Sequence, residues 1–324
     1  MPPTTHNLQP ATSRAARCLL IRNPVSRGAL SDVRLDATLQ IARDAGWHVE
    51  CAVTERVGHA IEIARGAAAR DIDVIIVNGG DGTINEVING FVGRRDIALA
   101  VIPGGTANIW AKEIRVPKDP EAAMREIVGG ERRRVDLGRA GDRYFLLMAG
   151  IGFDGAIVPD VSASMKRRFG ASAYFVKGAL DALRLKTCAV NGRIDGVARE
   201  GPMYWMLISN TRSYGGLIDI MYRAEADDGL LDVGVMRRGG AWHLLADGAR
   251  LVFKRHDRSP NVDYIKARTI EIDTPDLPIQ IDGEYAGTTP MRFEIVPSAL
   301  TVIVPAGLQT PLLRADAATP PARA

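Results

Sequence analysis

Cysteine is scarce in this 324-residue chain: Cys18, Cys51 and Cys188 are the only three. An odd number without CxxC spacing excludes a disulfide framework and a zinc-ribbon site, and suits a reducing compartment. Long apolar runs are missing too. No stretch approaches the roughly 20 residues a helical bilayer span needs, and the first residues, MPPTTHNLQPATSR, contain no apolar signal core. The expected location is therefore cytoplasmic. Net charge is low, at +3, which gives no footing for nucleic-acid binding. The bases are nonetheless clustered, at 132–134, 166–168, 237–238 and 254–256. Such clusters suit either a solvated face or peripheral contact with an anionic membrane. A Walker A sequence, GxxxxGK[ST], is also absent.

What is present points to phosphate all the same. The apolar run Ile72, Val74, Ile75, Ile76, Val77 ends in Gly79-Gly80-Asp81-Gly82-Thr83, after which Ile84, Val87, Ile88 and Phe91 repeat at helical spacing. Strand, glycine turn and helix direct backbone N–H groups and a positive helix end at an anion. A carboxylate inside that turn, Asp81, calls for a cation between it and the phosphate, or for a proton-handling role. A second buried-strand pattern, 97–102, ends in Pro103-Gly104-Gly105-Thr106. Alone it reads equally as a sharp strand exit. After consecutive strands, the two turns could wrap one nucleotide, with the Thr106 hydroxyl as a donor.

Alternation of strand and helix to about residue 130 predicts a doubly wound α/β domain with a mostly parallel sheet. Expected helices cover 31–45, with Ser31 as N-cap and Gly46 as stop, and 58–70. From Val135 the pattern changes to short alternating strands at 144–148, 203–208, 231–235, 270–272, 279–281, 293–296 and 301–304. With helices expected at 171–185 and 242–253, this predicts a mainly β sandwich domain. The assigned bounds are 17–135 and 136–304, with 1–16 and 315–324 disordered. Gly150-Ile151-Gly152-Phe153-Asp154-Gly155 fits GxGxxG. It lacks the acidic residue a dinucleotide fold places about twenty residues on, and is expected to be a strand-to-helix turn lining a cleft.

Taken in order, NPVSRG (23–28), GGDGTINEV (79–87), PGGTAN (103–108), VDLG (135–138), GIGFDG (150–155), DGLLDV (228–233) and IDGE (281–284) resemble the bacterial members of the diacylglycerol kinase catalytic family. That resemblance implies an ATP-dependent lipid kinase acting on the hydroxyl of a diacylglycerol-like or sphingoid acceptor. It implies ATP contacts at Thr54, at Gly79, Gly80, Asp81, Gly82, Thr83, Ile84, Asn85 and Glu86, and at Thr106. It also implies Glu284 as general base, with Asp81 and Asp136 in the catalytic network, and a Mg²⁺ site on Glu225, Asp228 and the Leu230 carbonyl. Residues 305–314 would pack back on the first domain. By residue type alone, Asp282-Gly283 before Glu284 is an ordinary hairpin signal, and Asp228-Gly229 an ordinary turn.

Many relatives carry Asp where this chain has Ile109, which bears on headgroup specificity. The segment 165–186 mixes bases with Phe169, Tyr174 and Phe175, and reads either as an interfacial helix or as a helix covering the β domain. Two competing readings are a soluble-substrate kinase of the NAD kinase type and a non-catalytic nucleotide-dependent lipid-binding protein. A homodimer is a further candidate arrangement.

Overall fold

The computed structural model describes residues 15–152, 187–239, 250 and 256–314. The helices expected at 171–185 and 242–253, the segment 165–186, the basic run 166–168, residues 153–155, and the chain ends at 1–14 and 315–324 lie outside the described residues.

The first half alternates strands and helices. In chain order they are β1 (Arg17–Arg22), α1 (Asp32–Asp44), β2 (His48–Val53), α2 (His59–Ala68), β3 (Val74–Gly79), α3 (Asp81–Phe91), β4 (Ala98–Pro103), α4 (Ile109–Glu113) and α5 (Pro120–Gly129). The four strands are parallel in the order β2-β1-β3-β4. Every position of β3 is buried, which is why it reads as an unbroken apolar run rather than an alternating one. Local caps fix the helix starts. The Ser31 side chain accepts from the Arg34 N–H at α1, and Asp119 accepts from Ala122 N–H at α5, with Pro120 inside the first turn.

The second half is antiparallel. It comprises β5 (Glu131–Ala140), β6 (Arg143–Phe145), β7 (Met148–Gly152), β8 (Cys188–Ile194), β9 (Val197–Met203), β10 (Trp205–Ser209), β11 (Leu231–Met236), β12 (Val262–Ala267), β13 (Thr269–Ile272), β14 (Pro278–Ile281), β15 (Glu284–Thr288) and β16 (Met291–Val304). One face of the sandwich is the sheet β12-β11-β10-β7-β14-β15. The other joins the parallel sheet directly. β16 pairs with β13 at one end, and at the other its Thr301 and Val302 lie parallel to Ala98 and Leu99 of β4. An α/β domain with a mostly parallel sheet is thus followed by a β sandwich, as the patterning predicts, but one strand belongs to both.

Three elements differ from expectation, each for a local reason. The strands expected at 293–296 and 301–304 are one strand with a register shift between Val296 and Leu300, where Ser298 has φ +50°. The run 144–148 breaks after Phe145 because the N–H groups of Leu146, Leu147 and Met148 all turn to the Asp282 carboxylate. Gly150, Ile151 and Gly152 are not a turn. They are laddered within β7 against Leu207, Met206 and Trp205.

Two apolar cores result. The larger holds β1, β3, β4 and the helix faces. It also takes in Leu312 and Leu313, and the Leu312 carbonyl accepts from Ala226 N–H at 2.8 Å. The smaller fills the sandwich around Phe145, Ile208, Val233 and Phe293. Among the described residues no helix is long and apolar enough to cross a membrane.

Candidate active site

Three connections meet at the carboxyl ends of the parallel strands, where open α/β sheets bind ligands. The chain after β1 is tied down by Asn23, whose N–H donates to Asn78 O at 2.9 Å and whose Nδ2 donates to Thr83 Oγ1 at 2.9 Å. Fully buried Asn78 accepts Leu30 N–H on Oδ1 at 3.2 Å, from the connection after β1. Gly28 N–H donates to Gly104 O at 2.8 Å, and Gly104 N–H to Gly79 O at 2.9 Å.

The glycines have a packing reason besides any ligand. A Cβ on Gly105 would lie 2.5 Å from Gly80 Cα, and one on Gly104 would lie 3.0 Å from Gly79 N. The two turns touch backbone to backbone, which only glycine permits.

Asp81 is not inside the turn but is the first residue of α3, with extended Gly80 as N-cap. The first-turn N–H groups of α3 therefore face the cleft without partners inside the helix. The Asp81 carboxylate reaches across to the start of α4, where Trp110 N–H contacts it at 3.4 Å, and burial pushes its pKa up. Thr106 is exposed in the turn after β4, and Thr54 is buried at the end of β2, its N–H on Arg22 O. Three more residues of the expected contact set have side-chain partners within the protein. Ile84 enters the core, and Glu86 accepts from Gly58 N–H and Ala60 N–H, capping α2. Asn85 binds the sandwich through Asp282 Oδ2 at 2.8 Å.

Glu284 arrives from the other domain. Asp282 and Gly283 have φ +48° and +84°, the two-residue hairpin geometry that Asp-Gly favours. Glu284 follows at the start of β15. Its Oε2 accepts from Arg143 Nη2 at 2.6 Å, and its Oε1 lies 3.1 Å from where a Cβ on Gly82 would be. Asp282 is the residue that composition did not single out. Its carboxylate accepts N–H groups from Leu146, Leu147 and Met148 and the Asn85 amide, at 2.8–3.1 Å. Burial nonetheless pushes its pKa up to about 6. Arg143 also donates to Asn85 Oδ1 at 3.2 Å. Asn85, Asp282, Arg143 and Glu284 thus form one chain of bonds from α3 to the sandwich. The Asp-Gly pair was legible in the sequence; its four donors come from segments far apart in the chain and were not.

Asp136, on β5, belongs to another cluster. Its Oδ2 accepts from Gly229 N–H and its Oδ1 from Ser298 N–H, both at 2.7 Å. Asp228 accepts Leu230 N–H on Oδ1 and Lys266 Nζ on Oδ2 at 2.6 Å, and Lys266 also pairs with Asp232 at 3.2 Å. Glu225 pairs with Arg314 at 2.8 Å. Among the described residues no three His, Cys, Asp or Glu side chains come together as a metal-holding group.

A glycine-lined helix start in an α/β domain, faced by a carboxylate from a β sandwich, suits phosphoryl transfer to an alcohol. Comparison with known proteins narrows it. Residues 17–140 match the diacylglycerol kinase catalytic domain, and residues 148–304 the YegS C-terminal NAD kinase beta sandwich-like domain. The diacylglycerol kinase of Bacillus subtilis (strain 168) is 29% identical over 292 residues, covering 89% of this chain and 96% of that protein. That of Staphylococcus aureus (strain Newman) is 30% identical over 294 residues, covering 89% and 92%. The crystal structure of a diacylglycerol kinase from Bacillus anthracis str. Sterne superposes with a TM-score of 0.74 at 25% identity, covering 90% of this chain and 98% of that one. The chain belongs to the diacylglycerol kinase catalytic family. It is an ATP-dependent lipid kinase, a phosphotransferase with an alcohol acceptor.

Proposed function

We propose that the enzyme transfers the γ-phosphate of ATP to the free hydroxyl of a diacylglycerol-like lipid, with Glu284 as general base. The observation that carries this is the approach of Glu284 Oε1 to Gly82, which brings a carboxylate of the sandwich to the phosphate-facing end of α3. The phosphates lie along Gly80–Thr83 and Gly104–Thr106, where first-turn N–H groups offset their charge. The acceptor hydroxyl gives its proton to Glu284 as its oxygen bonds to the γ-phosphorus. The bond to the β-phosphate oxygen breaks, and ADP leaves. Arg143 holds the carboxylate in place through its 2.6 Å bond.

Asp81 is the carboxylate at the start of α3, and its hard oxygens suit the magnesium ion that accompanies ATP. Such an ion would neutralise phosphate charge. Glu225 and Asp228 fit a divalent ion poorly as they stand, because Arg314 and Lys266 already balance them. We read that segment as an ion-paired strut.

The test is transfer from labelled ATP to a panel of diacylglycerol, sphingosine, ceramide, phosphatidylglycerol and NAD. Diacylglycerol should be phosphorylated, and Glu284→Gln should lower kcat by roughly 10²–10⁴-fold with KM for ATP nearly kept. Turnover of NAD alone would overturn the lipid reading, and full activity in Glu284→Gln would overturn the base.

A further inference from the structure

The connection between β10 and β11 carries a feature the phosphoryl-transfer machinery does not use. Residues 214–218, Tyr-Gly-Gly-Leu-Ile, close on themselves. Tyr214 N–H donates to Ile218 O at 2.7 Å, and the Leu217 and Ile218 N–H groups return to Tyr214 O at 3.2 and 3.4 Å. Gly215 and Gly216 supply the left-handed φ values, +60° and +72°, that so tight a turn requires.

The turn is braced on every side. The Glu113 carboxylate accepts the Arg212 and Ser213 N–H groups at 2.9 and 2.7 Å, and the Tyr214 ring stands edge-on to Trp205 at 5.5 Å. Lys112 Nζ donates to Gly216 O at 3.1 Å. Gly216 itself packs on the loop that follows Thr106: a Cβ there would lie 3.2 Å from Ala107 O.

From this rigid footing Leu217 and Ile218 stand out, 63% and 41% exposed. A lone exposed aliphatic means little. These two are adjacent, fixed, and one residue's width from the phosphate turn. Charge near the turn is weighted towards cations, with Lys112 bonded to it at Gly216. Lys112, Arg115 and Lys118 are exposed on and just after α4, whereas the acid among them, Glu113, is turned inward onto the turn's own backbone. Asp119 is engaged by Arg34, and Asp219 is half-buried near Glu113. The turn also shares a sheet edge with the base. Ser209, Met148 and Asp282 lie in one row across β10, β7 and the β14–β15 hairpin, so Glu284, on β15 beyond β7 and β14, emerges about three strand spacings, roughly 14 Å, from the root of this loop.

We propose that residues 214–218 form a docking lip that seats Leu217 and Ile218 in the interface of an anionic phospholipid bilayer, with Lys112 and Arg115 against the headgroups. A fixed apolar tip beside cations is what an anionic interface recognises. The lip rests on the lipid-kinase reading for its purpose: it holds the cleft against the bilayer so that a membrane-resident hydroxyl reaches Glu284 without leaving the interface.

The experiment is flotation of the full chain with phosphatidylcholine vesicles, with and without phosphatidylglycerol, beside kinase assays on the same vesicles and on dissolved dioctanoylglycerol. Wild type should float with the anionic vesicles and be released by added salt. Leu217→Ser/Ile218→Ser should lose roughly tenfold or more of that partition, and a similar share of vesicle activity, while keeping its melting temperature and its rate on dioctanoylglycerol. Val33→Ser, which changes a still more exposed aliphatic on α1, should float as wild type. Equal flotation by the double variant, or an equal loss in Val33→Ser, overturns the lip. Lip-dependent flotation without phosphorylation of either lipid would uphold the lip and overturn the acceptor.

Discussion

Gly105→Ala isolates the geometry on which the proposed nucleotide site depends. The added Cβ would sit 2.5 Å from Gly80 Cα, whereas ordinary contact begins at 3.4 Å. The two turns must therefore separate by about 1 Å. Neither side is a flexible side chain that could swing away, and Asn108 further pins Gly105 through bonds of 2.8 and 2.9 Å to its N–H and carbonyl. Overpacking of this kind costs about 1–3 kcal/mol of stability. A displacement of about 1 Å in a phosphate-holding loop costs on the order of 10²-fold in rate. Steady-state kinetics with varied ATP, beside a denaturant titration, would measure both. Gly66→Ala is the matched control: it lies in α2, its Cβ would meet nothing within 4 Å, and it should gain up to about 1 kcal/mol with activity unchanged. A Gly105→Ala enzyme within a few-fold of wild-type kcat/KM, at unchanged stability, would refute the argument that glycine is there for the closeness of the two turns.

Other substitutions separate ligand contacts from struts. Glu86→Ala removes the cap of α2 and should cost about 0.5–2 kcal/mol with little change in KM for ATP; a large KM rise at intact stability would instead make Glu86 a nucleotide contact. Asp136→Asn keeps one of two N–H acceptors and should cost about 1.5–3 kcal/mol with kcat nearly unchanged, whereas a collapsed kcat at a normal denaturation midpoint would give Asp136 a catalytic role. Asp282 titrates near 6 in the folded chain against about 4 unfolded. Its stabilising contribution is therefore complete below about pH 4 and lost as pH rises through 6, a change of roughly 3 kcal/mol. Asp282→Asn should flatten that part of the stability profile relative to wild type; an unaltered difference between the two pH values would exclude Asp282 as its source.

The parts of this fold legible in the sequence are those made by contiguous residues. β3 announces itself by an unbroken apolar run and α3 by helical period, and Ser31 marks its helix start. The ordered glycine motifs carry the family. What was not legible depends on pairing between distant segments. β16 looks like two strands because Pro297 and Ser298 interrupt it, and only its partner β5, laddered from Ala140 to Glu131, shows the interruption to be a bulge. Glu86 and Asn85 sit in the glycine motif, and the family resemblance implies ligand contacts there; that their side chains bond α2 and Asp282 is something spacing within a helix cannot reveal. Lys266 stands 38 residues from Asp228, so the neutralisation of that carboxylate has no local signature.

The shared strand explains how Glu284, the proposed base, can be held from one core against a turn in the other. β5 and β16 run antiparallel past both cores, and β16 pairs with β4 at Ala98 and Leu99, the start of that strand, and with β13 inside the sandwich. A hinge between the domains would have to bend this ribbon, and its one irregularity, the bulge at Ser298, is clamped by Asp136. Asp136 simultaneously holds Gly229, so the bulge and the 225–230 loop move together or not at all. On the far side of the cleft, Asn85 and Asp282 close the same frame through side chains. Glu284 is thus fixed relative to Gly82 from two directions, one through the shared sheet and one through a buried carboxylate. Phosphoryl transfer depends on such positioning more than on covalent help. The enzyme meets that demand with secondary structure continuous across its two domains.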